Sequence, residues 1–529
     1  MKILGAALGE DVHVQGVYHF LQEAQRQGYE TDFLGPAIDV DQIIQKAKNE
    51  NPDIVAVSYR LTPENGRHLI KELKEKARDS GLKTRFVFGG TEPVAMIARD
   101  SNFFSFIADG SNNDEIPYFL RDEEKKESSE KPSQNVLERM KQKKSTPLLR
   151  THYGQPTLEA TIDGITQIAE SGLIDVISLG TDQDAQSNFF HPERQDIKRA
   201  GAGGVPVRSP EDFKKLFLAT RTGNFPLMRS YAGTDDLIEM AEMYENTFGN
   251  AWPAIPIFWF NDMDGRGPQD LEKSVSEHLK LIQWYSERDF PVEILESHHW
   301  GMRGAHDSLA VATAYLGAKV TKELGVKDYI HQYMFNIPQR ISATNDLAKM
   351  LAVRELITEL KSDSFHVYTQ TRAGLPSFPN HLEEARAQLA NSTLLQMQLN
   401  PDIIHVVNYS EPHHAATAQD VIDSAHITLH AIKNSQGMPS LVTNSEVVRR
   451  KEELKQGARY ILNHVEANGD LTDSKYLTSL VTKGVLDAPM LKGNQYARGK
   501  LEVVEKNGAY FPVKDGKFIN ERERLEVLR

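Results

Sequence analysis

The first 120 residues alternate between two hydrophobic periods. Met1–Leu8 is a short apolar run, and Val14–Gln27 spaces its apolar residues as a helix does until Gly28 stops it. Tyr29–Leu34 reads as a strand, Val40–Asn49 as a helix, Ile54–Ser58 as a buried strand and Pro63–Ser80 as a helix. Arg85–Phe88 is a strand running into Gly89-Gly90, and Phe104–Ala108 closes the series. Strands alternating with helices predict a parallel, doubly wound, flavodoxin-like α/β domain over residues 1–120. Arg121–Lys144 is charged, polar and nearly free of apolar residues, so 121–148 is expected to be a linker, partly helical at most. From 149 to 437 the alternation returns at longer spacing. Its strand candidates are Asp175–Gly180, Pro226–Ser230, Ile255–Asn261, Val292–Ser297, Tyr329–Phe335, Phe365–Thr369 and Ile403–Asn408, with an eighth near Leu149–Tyr153 or Gly203–Val207. That count predicts a (β/α)8 TIM barrel, with an open doubly wound sheet as the alternative. Residues 438–529 read as a helical and loop-rich C-terminal extension.

A chain of 529 residues is too long for one hydrophobic core, which agrees with at least two domains. The net charge of −13 argues against nucleic acid and against an anionic membrane surface as partners. No apolar run reaches the length of a membrane span, and the start turns polar too early for a signal peptide. Without cysteine there is no disulfide, thiolate nucleophile or cysteine-ligated cluster, so a cytoplasmic location is expected.

Candidate chemistry lies at the strand ends, where ligands of doubly wound sheets bind. Asp11-Val-His13-Val-Gln-Gly16 follows the first strand, and Ser58-Tyr-Arg60 follows 41 residues after that segment. Gly89-Gly90-Thr91 comes after a further 28 residues. A neutral imidazole at His13 can ligate a metal ion, and Asp11 can take the other ring N–H and fix the tautomer. Gly16, Gly89 and Gly90 leave room for a ligand close to the backbone, and Ser58 and Thr91 supply hydroxyls. These three pieces resemble the DxHxxG, SxL and GG signature of the cobalamin-binding domains of methionine synthase and adenosylcobalamin mutases. The resemblance implies a cobalamin whose own base is displaced by His13 as cobalt ligand. Arg60 departs from it, standing where the family carries an apolar residue.

The second region resembles the catalytic subunit of glutamate mutase. Pro226-Leu-Met-Arg229-Ser-Tyr-Ala-Gly233-Thr234 is similar to that family's PVQVRHGT segment, and Ile294-Leu-Glu296 followed by Arg303-Gly304 to its strand-end Glu and Gly-rich loop. Glu411-Pro412-His413-His414-Ala415 resembles its TPHEA segment. Gly469-Asp470-Leu471, Gly484 to Pro489 and Arg498-Gly499-Lys500 resemble its closing segment. The resemblance implies an adenosylcobalamin-dependent isomerase with Arg229 anchoring a substrate carboxylate and Glu296 binding an amino group or acting as a base. Arg303 and His414 would be further substrate contacts. Two departures bear on the substrate: the Thr181–Asn188 loop lacks the family's arginine, and His414 replaces a glutamate. The expected substrate is therefore a small carboxylic or amino acid other than glutamate, and a homodimer is the expected assembly. An aminomutase that also uses pyridoxal phosphate, and a corrinoid carrier or sensor without mutase activity, are the alternatives. The pairs His298/His299 and His413/His414 are expected to point apart and to line a pocket instead of binding a metal.

Overall fold

In β1 (Lys2–Leu8) successive side chains serve opposite faces: Ile3 packs with Val17, Phe20 and Leu21, and Leu4 with Val40, Ile43 and Ile44. Two buried faces mark a strand covered by helices on both sides. The protein is described by a computed structural model covering residues 1–110, 112–123, 132–143, 146–231, 233–526 and 528. The chain divides into two compact units, Met1–Glu130 and Lys131–Arg529.

In the first unit β2 (Glu30–Ile38), β3 (Ile54–Tyr59), β4 (Arg85–Gly90) and β5 (Phe106–Ala108) join β1 in parallel, in the order β2-β1-β3-β4-β5. Helices Gln15–Arg26, Val40–Glu50, Pro63–Asp79 and Glu92–Asp100 make the crossings. In Gln15–Arg26 the buried Val17, Phe20, Leu21 and Ala24 recur at helical spacing and form its inner face. The strand order reverses at β1 and β3, which opens a crevice at their carboxyl ends.

In the second unit β6 (Leu148–Tyr153), β7 (Val176–Leu179), β8 (Leu227–Arg229), β9 (Ala254–Ile255), β10 (Val292–Ile294), β11 (Asp328–Phe335), β12 (His366–Ala373) and β13 (Ile403–Val406) form a curled parallel sheet. Its order is β8-β7-β6-β13-β12-β11-β10-β9, so the described strands leave a seam between β8 and β9. Across that seam Ala251 N–H donates to the Met228 carbonyl at 3.0 Å. Leu148–Tyr153 is the eighth strand, while Gly203–Val207 contributes one isolated bridge, Thr181 to Val205.

Several boundaries differ from the sequence reading. The strand expected over Ile255–Asn261 stops at Ile255 because Pro256 cannot donate to the ladder. Val292–Ser297 ends at Ile294, and Glu296 opens the helix Glu296–Met302 instead of ending a strand. Within the segment expected as a linker, residues 124–131 and 144–145 lie outside the described residues. Val136–Gln142, however, is a helix packed on the second unit. There Arg139 is buried and donates to the carbonyls of Asp175, Asn224 and Phe225 at 3.0, 2.5 and 3.0 Å. The C-terminal region holds helices Ser445–Glu466 and Ser474–Thr482. It also holds an antiparallel sheet, β14 (Glu502–Lys506), β15 (Ala509–Lys514) and β16 (Lys517–Phe518), where loops were expected. No described helix is long and apolar enough to cross a membrane.

Candidate functional site

After β1 the chain turns at Asp11, which is fully buried. Its Oδ1 accepts from His13 N–H at 2.9 Å and lies 2.8 Å from His13 Nδ1, and its Oδ2 accepts from Arg60 N–H at 2.8 Å. One carboxylate thereby ties the loop after β1 to the loop after β3 and commits one imidazole nitrogen. Nε2 is the remaining nitrogen of a ring whose side chain is 50% exposed. Val12 and Leu61, in the same two loops, are exposed apolar residues.

All eight residues expected to contact a cofactor, from Asp11 to Thr91, line one cavity of about 510 Å3. Ser58 Oγ is buried with no hydrogen-bond partner among the described residues. Thr91 precedes the helix Glu92–Asp100 without a side-chain cap bond. A Cβ at Gly16 would meet nothing within 4 Å, and one at Gly89 only Ser58 Cβ at 3.9 Å. The fold itself therefore demands glycine at neither place, and the space each leaves belongs to the cavity. Gly90 differs, since its Cβ would stand 2.6 Å from the Tyr59 carbonyl oxygen.

In the second unit a buried polar cluster fills the inside of the curled sheet. Arg229 on β8 donates through Nη1 to Glu293 Oε2 on β10 at 2.9 Å, and its guanidinium lies 4.4 Å from the centre of the Trp252 ring. The Trp252 indole donates to the same oxygen at 2.7 Å. Arg150 on β6 donates to Ser178 Oγ at 2.6 Å and Gln370 Oε1 at 3.1 Å, and lies 3.9 Å from Glu293. Burial, and then the neighbouring Arg229, bring Arg150 down to about 9. Burial opposes the charge of Glu293, yet Arg229 and Arg150 hold it below the usual carboxylate range. His152 stacks on His405 with ring centres 4.8 Å apart. Burial, followed by the charges of Arg150 and Arg372, keeps both rings well below the usual imidazole value.

The expected substrate contacts are not all in this cluster. Glu296 is buried, but its Oε1 accepts from the backbone N–H of Ile257 and of Phe258, the latter at 3.2 Å, and its Oε2 from the Trp300 indole at 3.3 Å. Its Cγ lies close to Gly317 of the helix Asp307–Glu323, on the helix side of the sheet. These N–H groups follow Pro256, past the end of the strand, so Glu296 takes the place of a missing strand partner. Arg303 is tied to Asp264 Oδ2 at 3.2 Å and to the His299 carbonyl at 3.1 Å. His414 is 39% exposed and bonds to Asp420 at 3.1 Å, beside the start of the helix Ala418–Ser435. The paired histidines do not point apart: the His298 and His299 ring centres are 4.6 Å apart, and His413 and His414 meet through their Nδ1 atoms at 2.9 Å. Among the described residues the group with metal-binding spacing is His191, Asp235 and Asp236, which includes neither pair.

Residues 1–111 match the family model of the B12 binding domain. The first unit is a B12 binding domain. No curated protein matches the chain. Among solved structures, the chain is similar to a novel cobalamin-binding protein from Desulfitobacterium hafniense DCB-2. The identity is 24% over 23% of this chain and 57% of that one, with a TM-score of 0.21. The chain thus spans little more than half of that protein's length. It is similar to 2,3-dimethylmalate lyase, a member of the PEP mutase/isocitrate lyase superfamily, at 13% identity over 61% of this chain and 97% of that one (TM-score 0.29). It is also similar to the cobalamin-dependent S-adenosylmethionine radical enzyme OxsB, at 12% identity over 91% and 75% of the two chains (TM-score 0.19).

The donor set of the B12 binding domain suits its cofactor: an accessible imidazole nitrogen held by a buried carboxylate, a Ser58 hydroxyl without a partner among the described residues, a Thr91 hydroxyl not spent on capping its helix, and a glycine-lined cavity. The sequence reading missed Arg150, Glu293, Arg372 and His405. Their signal was a charged or polar residue at inward positions of strands that are otherwise apolar, as in Val292-Glu293-Ile294.

Proposed function

We propose that this chain is an adenosylcobalamin-dependent isomerase, a carbon-skeleton mutase acting on a small carboxylic or amino acid. The flavodoxin-like first unit is read as the cofactor carrier and the curled sheet as a (β/α)8 barrel that holds the substrate. The observation that carries the reading is the Asp11–His13 pair at a glycine-lined cavity, with Nε2 left for cobalt. In this reading Ser58 and Thr91 bond the nucleotide tail, and Gly16 and Gly89 make room for it. Adenosylcobalamin, when bound, would supply a radical through cleavage of its cobalt–carbon bond. The chain's own residues bind and orient. Arg229, with Nε and Nη2 buried and unpartnered among the described residues, anchors a carboxylate. Glu296 acts as a positioning residue by holding the Ile257–Phe258 backbone at the sheet edge. The apolar layers around the sheet exclude water from the interior.

The aminomutase alternative lacks a suitable lysine among the buried described residues. Lys349 is spent on Asp307, Asp346 and the Ile337 carbonyl. The engagement of Glu296 favours one second reading, a corrinoid carrier or sensor whose barrel turns nothing over.

His13→Ala should lose most cobalamin affinity, and its Co(II) spectrum should lose the nitrogen hyperfine coupling of a protein imidazole. Unchanged coupling would falsify the assignment of His13. Incubating the adenosylcobalamin-loaded protein with small carboxylic and amino acids then separates the readings. Isomerised product supports the mutase, and cobalamin binding without turnover supports the carrier.

A further inference from the structure

The polar interior of the second unit has more cationic capacity than its own acids use. Arg150, Arg229 and Arg372 stand there against Glu293, whose single charge is shared by Arg229 at 2.9 Å, the Trp252 indole at 2.7 Å and Arg150 at 3.9 Å. Arg150 is occupied on Ser178, Gln332, Gln370 and His152. Arg229 is not: it is 1% exposed, and its Nε and Nη2 have no hydrogen-bond partner among the described residues. His405 Nδ1, on a ring 2% exposed, is in the same condition.

Arg372 lies near the carboxyl end of β12, in register with His405, which in turn is in register with Arg150. Its Nε donates to the Ala373 carbonyl at 3.1 Å, and its two Nη atoms form no ion pair among the described residues. Glu411, the acid nearest in charge to Arg372, accepts on Oε1 from the Asn408 backbone at 3.1 Å. The rings that surround these guanidiniums, His152, His298, His299 and His405, all feel the charge of Arg372 and are held neutral, chiefly by burial. Buried or half-buried cations in excess of their counter-charges call for an anion. Glu293 keeps a buried Oε1 without a hydrogen-bond partner among the described residues, and Glu411 faces Arg372, but three guanidiniums against these two carboxylates still leave an excess of positive charge that repels a further cation.

We infer that this interior binds a small aliphatic carboxylate with no ammonium group next to it, held by the free N–H groups of Arg229 and by Arg372. An amino acid would bring an ammonium two bonds from its carboxylate and leave the interior charge uncompensated. A plain acid compensates it. The inference deepens the proposed isomerase reading and shares its substrate site, but it does not depend on turnover.

The test is titration calorimetry on the full-length protein with matched probes: glutarate against L-glutamate, succinate against L-aspartate, and butyrate against 2-aminobutyrate. At least one acid should bind ten times or more tighter than its amino partner. Arg372→Met and Arg229→Met should each weaken that acid at least tenfold, and Arg372→Lys should recover part of the loss. Arg372→Lys also serves if the Met variants fail to fold. Equal or tighter binding of the amino acids, no binding of any acid, or arginine-independent binding overturns the inference. The cobalamin spectrum of the same preparation keeps the two readings apart. If the acids fail while the imidazole-ligated spectrum persists, only this inference falls; if the spectrum lacks the imidazole, the cofactor reading falls instead.

Discussion

At the scale of single residues, Glu296 invites two roles that pH can separate. Burial pushes its carboxyl up to about 7, although the N–H groups of Phe258, Ile257 and Trp300 pull the other way. Its folded value lies above that of a free carboxyl, so folding takes up a proton between the two. The stability Glu296 contributes is complete below the ordinary carboxyl value and is lost as pH rises through about 7. Asp346, also buried, is pushed to about 7 and adds in the same direction. The buried His278 and His306, held down by burial to about 4, and His331, held down to about 3, act the other way below the ordinary imidazole value. The test is therefore a difference: the melting temperature of Glu296→Gln relative to the wild type should rise between pH 5 and pH 7. An unchanged difference across that range, together with a shifted pH profile of turnover in that variant, would make Glu296 a base instead of a backbone clamp. This is also where sequence and structure part at the residue scale. The Asp11–His13 pair was legible because its partners are two positions apart. Glu293 was not, because its meaning comes from Arg229 and Arg150, 64 and 143 positions away and brought in by sheet curvature.

Among elements, the helix Gln15–Arg26 carries a cost that its packing does not explain. Gly16 sits at its second position; glycine costs about 1 kcal/mol relative to alanine in a helix interior, and a Cβ at Gly16 would meet nothing within 4 Å. Gly16→Leu should leave the melting temperature of the cobalamin-free protein unchanged or raised while weakening cobalamin binding at least tenfold. Gly90→Ala should do the reverse at the folding step. Its Cβ would press on the Tyr59 carbonyl, which costs on the order of 1–3 kcal/mol, visible as an earlier denaturation midpoint. Equal behaviour of the two variants would show that Gly16 has no ligand to accommodate. The strands and helices of the first unit were legible because each obeys a single period. β9 was over-read because Pro256 was given too little weight inside an apolar run. The tail sheet was under-read, although Asn507-Gly508 and Asp515-Gly516 are the turns that close two-residue hairpins, with φ of 54°, 71°, 51° and 73°. Short polar strands such as Glu502–Lys506 lack the apolar alternation that would have revealed them.

For the molecule as a whole, the question is whether the C-terminal region is an appendage or part of the second unit's core. Leu454, Ile461 and Val465 from the helix Ser445–Glu466, Leu477 and Val481 from Ser474–Thr482, and Leu486 beyond it are all buried. They share one apolar cluster with Leu309, Val320, Leu351 and Leu356 of the helices that flank β10 and β11. Polar ties run the same way: Asp307 Oδ2 accepts from Arg450 at 3.0 Å and from Tyr510 N–H at 2.9 Å, and His306 meets Glu521 at 3.0 Å. Burying a large aliphatic side chain is worth about 1.5–3 kcal/mol, so those six alone amount to roughly 10 kcal/mol or more. That equals the whole net stability of an ordinary domain, about 5–15 kcal/mol. Cutting the chain after residue 439 should therefore abolish folding of the second unit, not trim its surface. The truncated protein should be insoluble or lack a cooperative melting transition above that of the B12 binding domain. Because the proposed cobalamin contacts lie within the first unit, any protein recovered should still take up cobalamin through His13. A truncated chain that melts cooperatively near the full-length temperature would make the tail an accessory, and the core would then have to close without it. Loss of cobalamin uptake along with the second unit would mean that the first unit needs the second to hold its cofactor.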